Sequence, residues 1–200
     1  MTDYIKKNLF STPIFEFNNK NLAIKIKEYI MLKEINGIES NVTKELKHNL
    51  DESEFDFFAG NDEVISEIRS YIASCLKSVI NDLSNTKDNY KISFTESWYH
   101  IGRKNSSHDI HNHPNCSWCG VFYIQSGDKD CGGETSFRSP IDLQYRDFGT
   151  IHSNYSLLSV TPEDGKLIIF PSYLYHFQSL YKGNEDRITV AFNSQILAIL

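Results

Sequence analysis

His111 and His113 stand two residues apart in His111-Asn112-His113-Pro114, and His176 and Arg187 follow far downstream. In extended backbone, side chains at i and i+2 point to the same side, so the two imidazoles form a two-pronged claw. Imidazole is the commonest protein ligand for a metal ion. A third histidine arriving from a distant strand, His176, would close one face of a coordination sphere. The chemistry that this spacing implies is metal-centred.

Arg187 heads a second pattern. Along Arg187 to Asn193, alternation puts Arg187, Thr189, Ala191 and Asn193 on one face and Ile188, Val190 and Phe192 on the other. The apolar set suits packing against helices or a second sheet, which turns the polar set inward. A buried guanidinium is costly unless an anion meets it, and its planar fork suits a carboxylate. No run of acids offers itself as partner, so a bound small carboxylate is expected at Arg187. Thr189 would add a hydroxyl, and Tyr123, on the strand after the claw, a third contact.

The elements that must position these residues fall into two halves. Leu9 to Phe17, interrupted by Pro13, reads as an edge strand. Leu22, Ile24, Ile26, Tyr29, Ile30 and Leu32 read as an amphipathic helix. Asn61-Asp62-Glu63 is an N-cap with acids in the first turn, and Val64, Ile65, Ile68, Tyr71, Ile72, Cys75, Leu76 and Ile80 then recur at helical spacing. Between these helices, Gly37 to Gly60 is polar and aperiodic and reads as a long loop with a short helical turn.

After Asn81 the texture becomes extended. Segments 91–102, 119–125, 134–138, 155–160, 166–170, 173–180 and 187–194 read as strands, separated by turn residues such as Gly127-Asp128 and Gly183-Asn184. The expected fold is mostly β with N-terminal helices: a double-stranded β-helix (jelly roll) backed by helices. One domain is expected over residues 1–200, with 1–90 as a support region and 91–195 as the jelly-roll core.

A formal net charge of -6 leaves no basic field for a phosphate backbone and argues against a nucleic-acid partner. The start lacks the apolar segment of a signal peptide, and no run of about 18 apolar residues appears. The expectation is a soluble, cytoplasmic protein with no membrane partner, whose four cysteines are reduced thiols. The apolar segment Ile196 to Leu200 could pack on a second copy in a homo-oligomer.

Taken in order, the His111-x-His113 pair, the strand Gly120-Val121-Phe122-Tyr123-Ile124, Gly132-Gly133-Glu134-Thr135-Ser136-Phe137, Gly165-Lys166-Leu167-Ile168-Ile169-Phe170-Pro171, His176 and Arg187-Ile188-Thr189 resemble the Fe(II)/2-oxoglutarate-dependent oxygenases of the prolyl-hydroxylase-like type. The HxHP segment is similar to a group of these found in bacteria and phages. The resemblance covers roughly residues 95–195. It implies Fe(II) held by protein ligands and 2-oxoglutarate chelating the iron, with its far carboxylate on Arg187, Thr189 and Tyr123. Oxidative decarboxylation would then yield succinate, CO2 and a hydroxylated small molecule or amino-acid or peptidyl residue.

The family's usual triad is two histidines and a carboxylate, whereas position 113 is histidine. Three arrangements stay open: a neutral triad of His111, His113 and His176; a two-histidine site with water; or a carboxylate recruited from Asp109 or Glu134. Trp98, Tyr99 and His100 precede the claw, and alternate members should face a cavity. Residues 105–109 and the 37–60 loop are candidate lids, and His108 reads as a loop histidine. Cys116-x-x-Cys119 beside the claw allows a mixed His/Cys zinc site, and Tyr173, Tyr175 and Phe177 read as core. The competing functions are a cupin-like metal-binding module without turnover and a three-histidine dioxygenase needing no organic cosubstrate. The exposure of Arg187 discriminates among them.

Overall fold

The computed structural model describes residues 11–35, 47–84, 90–140 and 157–199. Two helices come first. α1, Lys20–Ile35, is capped by Asn19, whose Oδ1 accepts the Leu22 N–H at 3.1 Å. It buries Leu22, Ala23, Ile26 and Ile30 at helical spacing. α2, Glu63–Leu83, buries Ile65, Ile68, Ile72, Cys75, Leu76, Val79 and Ile80. Asp62 precedes it, but its carboxylate does not cap the helix; it accepts the Tyr29 hydroxyl at 2.6 Å and so ties α2 to α1.

Nine strands make one sheet among the described residues, in the order β1-β7-β4-β9-β3-β8-β5-β6, with β2 added to β3. Their ranges are β1 Phe15–Asn18, β2 Lys47–Glu52, β3 Tyr90–His111, β4 Trp118–Gln125, β5 Thr135–Arg138, β6 Leu157–Val160, β7 Lys166–Pro171, β8 His176–Tyr181 and β9 Arg187–Ala198. Among the described residues these strands pair antiparallel throughout. β3 is the hinge of the arrangement. Its first half pairs with β9 and its second half with β8, through register shifts between Ser106 and His111 that turn the sheet over on itself. The result is the helix-backed jelly-roll architecture that the strand pattern predicts.

Alternation then sorts the side chains into two cores. Ile188, Val190 and Phe192 of β9 join Phe122, Ile124, Leu167 and Ile169 against the two helices. Tyr123, Phe137, Ile168 and Phe170 form a second cluster on the inner face. Each buried isoleucine on the helix side contributes about 1.5–3 kcal/mol, so the helices are anchored by many small terms. The inward face of β9 carries Arg187 and Thr189, each 2% exposed.

Several boundaries differ from expectation. The 37–60 segment is not all loop: Lys47–Glu52 is strand β2 on β3, and Phe57–Ala59 is a 3-10 turn. Its part at 37–46 lies outside the described residues, as do Leu9 and Phe10 of the first expected strand and Tyr155 and Ser156 of the 155–160 strand. Residues 105–109 are no lid; they belong to β3, with Asn105 in the left-handed region at φ 68°. β8 begins at His176, not Tyr173, because Ser172–Leu174 turn back with Leu174 N–H on Pro171 O at 3.1 Å. The apolar Ile196 and Leu197 are part of β9, paired with Ile92 and Lys91. Among the described residues no helix is long and apolar enough to cross a membrane.

Candidate metal and cosubstrate site

β3 ends at His111, and the chain turns, so His113 lies just past the strand rather than in it. A hydrogen bond from His113 N–H to Ser172 O at 3.1 Å fixes that turn against the end of β7. His176, opening β8, pairs in register with His111. One nitrogen from each of His111, His113 and His176 lies within 4.8 Å of the others. His113 Nε2 and His176 Nε2 are 3.4 Å apart.

Backbone carbonyls hold two of the rings. His111 Nδ1–H donates to Asp109 O at 2.7 Å and His176 Nδ1–H to Leu174 O at 3.0 Å, which leaves each Nε2 as a lone pair facing the cluster. Burial lowers all three imidazoles, His113 to about 4 and His176 to about 3, so they are neutral at pH 7. Neutral imidazoles with converging lone pairs are the donor set that a divalent transition metal takes. With metal–nitrogen bonds of about 2.1 Å, adjacent ligand nitrogens sit roughly 3 Å apart, close to the 3.4 Å between His113 Nε2 and His176 Nε2.

The candidate carboxylates lie elsewhere. Asp109 is about half exposed and faces His48 at 3.8 Å, and Glu134 accepts the Ser179 hydroxyl. Cys116 and Cys119 lie 3.6 Å from each other but belong to no three-ligand cluster among the described residues, which removes the mixed zinc site.

The triad opens on a small cavity. Trp98, His100, Thr135, Gln178, Arg187 and Thr189 contribute to its lining. Arg187 donates from Nη1 to Gln178 Oε1 at 2.8 Å, and its guanidinium lies 5.3 Å from the Tyr123 ring centre. Its Nε is buried without a partner, and no carboxylate among the described residues pairs with it. Desolvation pulls its pKa down. Gly133, at φ +80°, leaves room for it: a Cβ there would stand 3.1 Å from Arg187 Cδ and Nε. The Tyr123 hydroxyl donates to Thr135 Oγ1 at 2.6 Å, and Tyr123 lies in the inner core beneath the arginine.

Of the residues before the claw, Trp98 and His100 face the cavity, whereas Tyr99 points to the helices and donates to Glu34 Oε1 at 2.6 Å. His108 is no loop histidine; it is a β3 residue whose ring stacks on His111 at 4.0 Å, and burial drives its pKa down. Tyr173 and Tyr175 are exposed rather than core, and Phe177 lines the cavity.

Sequence reasoning missed a polar group beside the cavity. Glu52, fully buried on β2, accepts His100 Nε2–H at 2.8 Å and pairs with Lys47. Burial alone would raise the Glu52 pKa, but the hydrogen bonds and charges of His100 and Lys47 outweigh it and hold the carboxyl below its usual range. Burial in turn lowers His100. Gln178 was also missed, although it lies two residues after His176 on the same strand and shares its face.

A protein family described as "Putative 2OG-Fe(II) oxygenase" matches residues 96–193, the stretch that carries the triad and the arginine. This stretch, just under half of the chain, belongs to the 2OG-Fe(II) oxygenase family. The chain is an oxygenase whose cofactors are Fe(II) and 2-oxoglutarate, which sets aside both the non-catalytic cupin-like module and a dioxygenase without organic cosubstrate. No curated protein matches the oxygenase by sequence. Solved structures do match it in fold. A prolyl-4-hydroxylase from Pseudomonas putida superposes with a TM-score of 0.67 at 13% identity, over 92% of this chain and 94% of that one. A viral collagen prolyl hydroxylase from Paramecium Bursaria Chlorella virus-1, in its 2OG complex, gives 0.59 at 15% identity, over 90% and 94%. HygX from Streptomyces hygroscopicus, with nickel and 2-oxoglutarate bound, gives 0.61 at 12% identity, over 92% and 83%.

Proposed function

We propose that the oxygenase hydroxylates a small molecule or an amino-acid or peptidyl residue, with iron on His111, His113 and His176 and the far carboxylate of 2-oxoglutarate on Arg187. The observation that carries this reading is one cavity with three neutral imidazoles and a buried guanidinium that has no carboxylate of its own. Bound there, Fe(II) with 2-oxoglutarate would supply the dioxygen activation that oxidises a C–H bond, with succinate and CO2 as the cosubstrate's products.

The chain's own residues supply binding and orientation. The Asp109 and Leu174 carbonyls hold the His111 and His176 rings with their lone pairs inward. Arg187 meets the distal carboxylate through its planar fork, while Gln178 steadies the opposite edge of the guanidinium. Thr189, two residues along the same face of β9, adds a hydroxyl donor. Tyr123 supports the arginine with its ring face. Trp98, His100 and Phe177 line the same cavity and would border the primary substrate. That prolyl-4-hydroxylases and HygX share the fold supports an amino-acid residue or small molecule as that substrate.

Anaerobic titration of the Fe(II)-loaded protein with 2-oxoglutarate should produce the weak visible charge-transfer band of a chelated cosubstrate. Admitting oxygen should then release succinate. Metal binding with neither band nor succinate would remove the reading.

A further inference from the structure

Among the described residues, Cys116 and Cys119 are the one pair of thiols in contact, with Sγ atoms 3.6 Å apart. We propose that they form a reversible redox site, in which a hydroperoxide closes a Cys116–Cys119 disulfide and thereby disturbs the His113 arm of the metal centre. The two sulfurs differ in freedom. Cys119 is 2% exposed within β4, paired with Phe170 on β7 and Asn193 on β9, and cannot shift without opening the sheet. Cys116 is half-buried in the turn between His113 and β4. Closing the gap to a disulfide bond of about 2.05 Å requires an approach of about 1.5 Å, and the turn supplies it.

That turn is the one that carries His113. The Cys116 thiol reaches His113 O at 3.5 Å. The Ser172 hydroxyl donates to Cys116 O at 2.7 Å, and Ser172 O in turn accepts His113 N–H at 3.1 Å. A sulfur drawn toward Cys119 leaves the His113 carbonyl, and the peptide that holds the imidazole loses a contact. Cys119 also lines the cavity itself, so the bridge forms in the wall of the site.

The chemistry balances with the peroxide as oxidant. The Cys116 sulfur attacks one peroxide oxygen, the O–O bond breaks, and a sulfenic acid and water (or alcohol) result. The Cys119 sulfur then attacks the sulfenic sulfur; the S–S bond forms, the S–O bond breaks, and a second water leaves with the thiol proton. Two electrons pass from the thiols to the peroxide, and a dithiol reductant reverses the change.

The effect on the metal rests on the three-histidine reading, whereas the bridge does not, and the test separates them. Metal-free protein is treated with hydrogen peroxide, alkylated and mapped by peptide mass spectrometry, then titrated with Co(II). The expected result is a peptide spanning Cys116 and Cys119 that is two hydrogens lighter and closed to alkylation, with open thiols restored by dithiothreitol. Cobalt affinity should fall about tenfold or more, the range seen when a support of a ligand is lost, and should recover on reduction. Cys116→Ser should keep its cobalt affinity through the same treatment, and Cys131→Ser should behave as the native chain. Both thiols remaining open to alkylation would overturn the proposal. A closed bridge with unaltered cobalt affinity would overturn its coupling to the site. Whether His113 ligates is read separately, from His113→Ala in the reduced protein.

Discussion

Replacing Arg187 by methionine should weaken 2-oxoglutarate binding and, at the same time, leave the cosubstrate-free protein as stable as before or more so. Both signs follow from the surroundings of the guanidinium. It is 2% exposed and donates to one neutral acceptor, Gln178, while its Nε has no partner. A carboxylate docking on the free edge forms charge-assisted hydrogen bonds worth about 1.5–3 kcal/mol each. Losing two such bonds, with methionine keeping part of the packing, weakens binding by about 3–4 kcal/mol, which at about 1.4 kcal/mol per tenfold is a few hundredfold. Without cosubstrate the balance reverses. Removing a buried charge that lacks a counter-ion relieves desolvation, and well-packed apolar replacements of buried charges gain about 1–4 kcal/mol. The lost bond to Gln178 offsets about 1 kcal/mol of that. Calorimetric titration of the Co(II) protein with 2-oxoglutarate reads the first quantity, and urea denaturation in chelator reads the second. An affinity within about threefold of native, or a variant destabilised by more than about 3 kcal/mol, would refute the reasoning, because the arginine would then be a structural residue.

His113→Ala should lower Co(II) affinity by more than about 100-fold in competition with a chelator, since losing even an outer support of a ligand costs about 10–100-fold; a change of under threefold would make His113 a bystander. Burial holds His113 at about 4 and His176 at about 3, below the ordinary 6.5, so between those values the unfolded chain takes up protons that the folded chain refuses. Stability in chelator should therefore be complete above pH 6.5 and fall as pH drops toward about 4, by a few kcal/mol at about 1.4 kcal/mol per unit. A urea midpoint that stays flat over this window would contradict the burial of the triad. Glu52→Leu removes the buried carboxylate that Lys47 and His100 share and should cost about 3–5 kcal/mol of stability, with Glu52→Gln recovering part of it through its amide oxygen; equal stability of the two variants would show that the group is not held by hydrogen bonding.

The helices and most strands were legible because their signals are local. The isoleucine stripe from Ile65 to Ile80 fixes α2, and the alternation from Arg187 to Asn193 assigns both faces of β9 correctly. The convergence of the histidines was legible for the same reason: residue type, two-residue spacing and chain order survive even though β3 stops at His111 and the turn completes the claw. β2 was not legible. In Lys-His-Asn-Leu-Asp-Glu the two buried positions are Leu50 and Glu52, so the inward face includes a carboxylate and reads as polar loop. Its partners Lys47 and His100, the latter 48 positions later, make that burial tolerable. Tyr173 and Tyr175 misled for the opposite reason, since aromatic alternation there belongs to an exposed turn.

The place of β9 in the sheet governs when this site can come into being. β9 follows the other strands in sequence yet runs between β4 and β3, which are not neighbours of each other in the strand order. On the ribosome, β3 and β4 are synthesised with an unfilled slot between them, and the two halves of the sheet are joined there only by β9. Pairings that join Tyr90 to Ala198 and Trp118 to Ser194 close long loops, so their entropic cost falls late and folding should be slow. The same insertion delivers Arg187 and clamps the strand that ends in His111. The imidazoles come together through β3 and β8, so the arginine end of the cavity is the part that waits for β9.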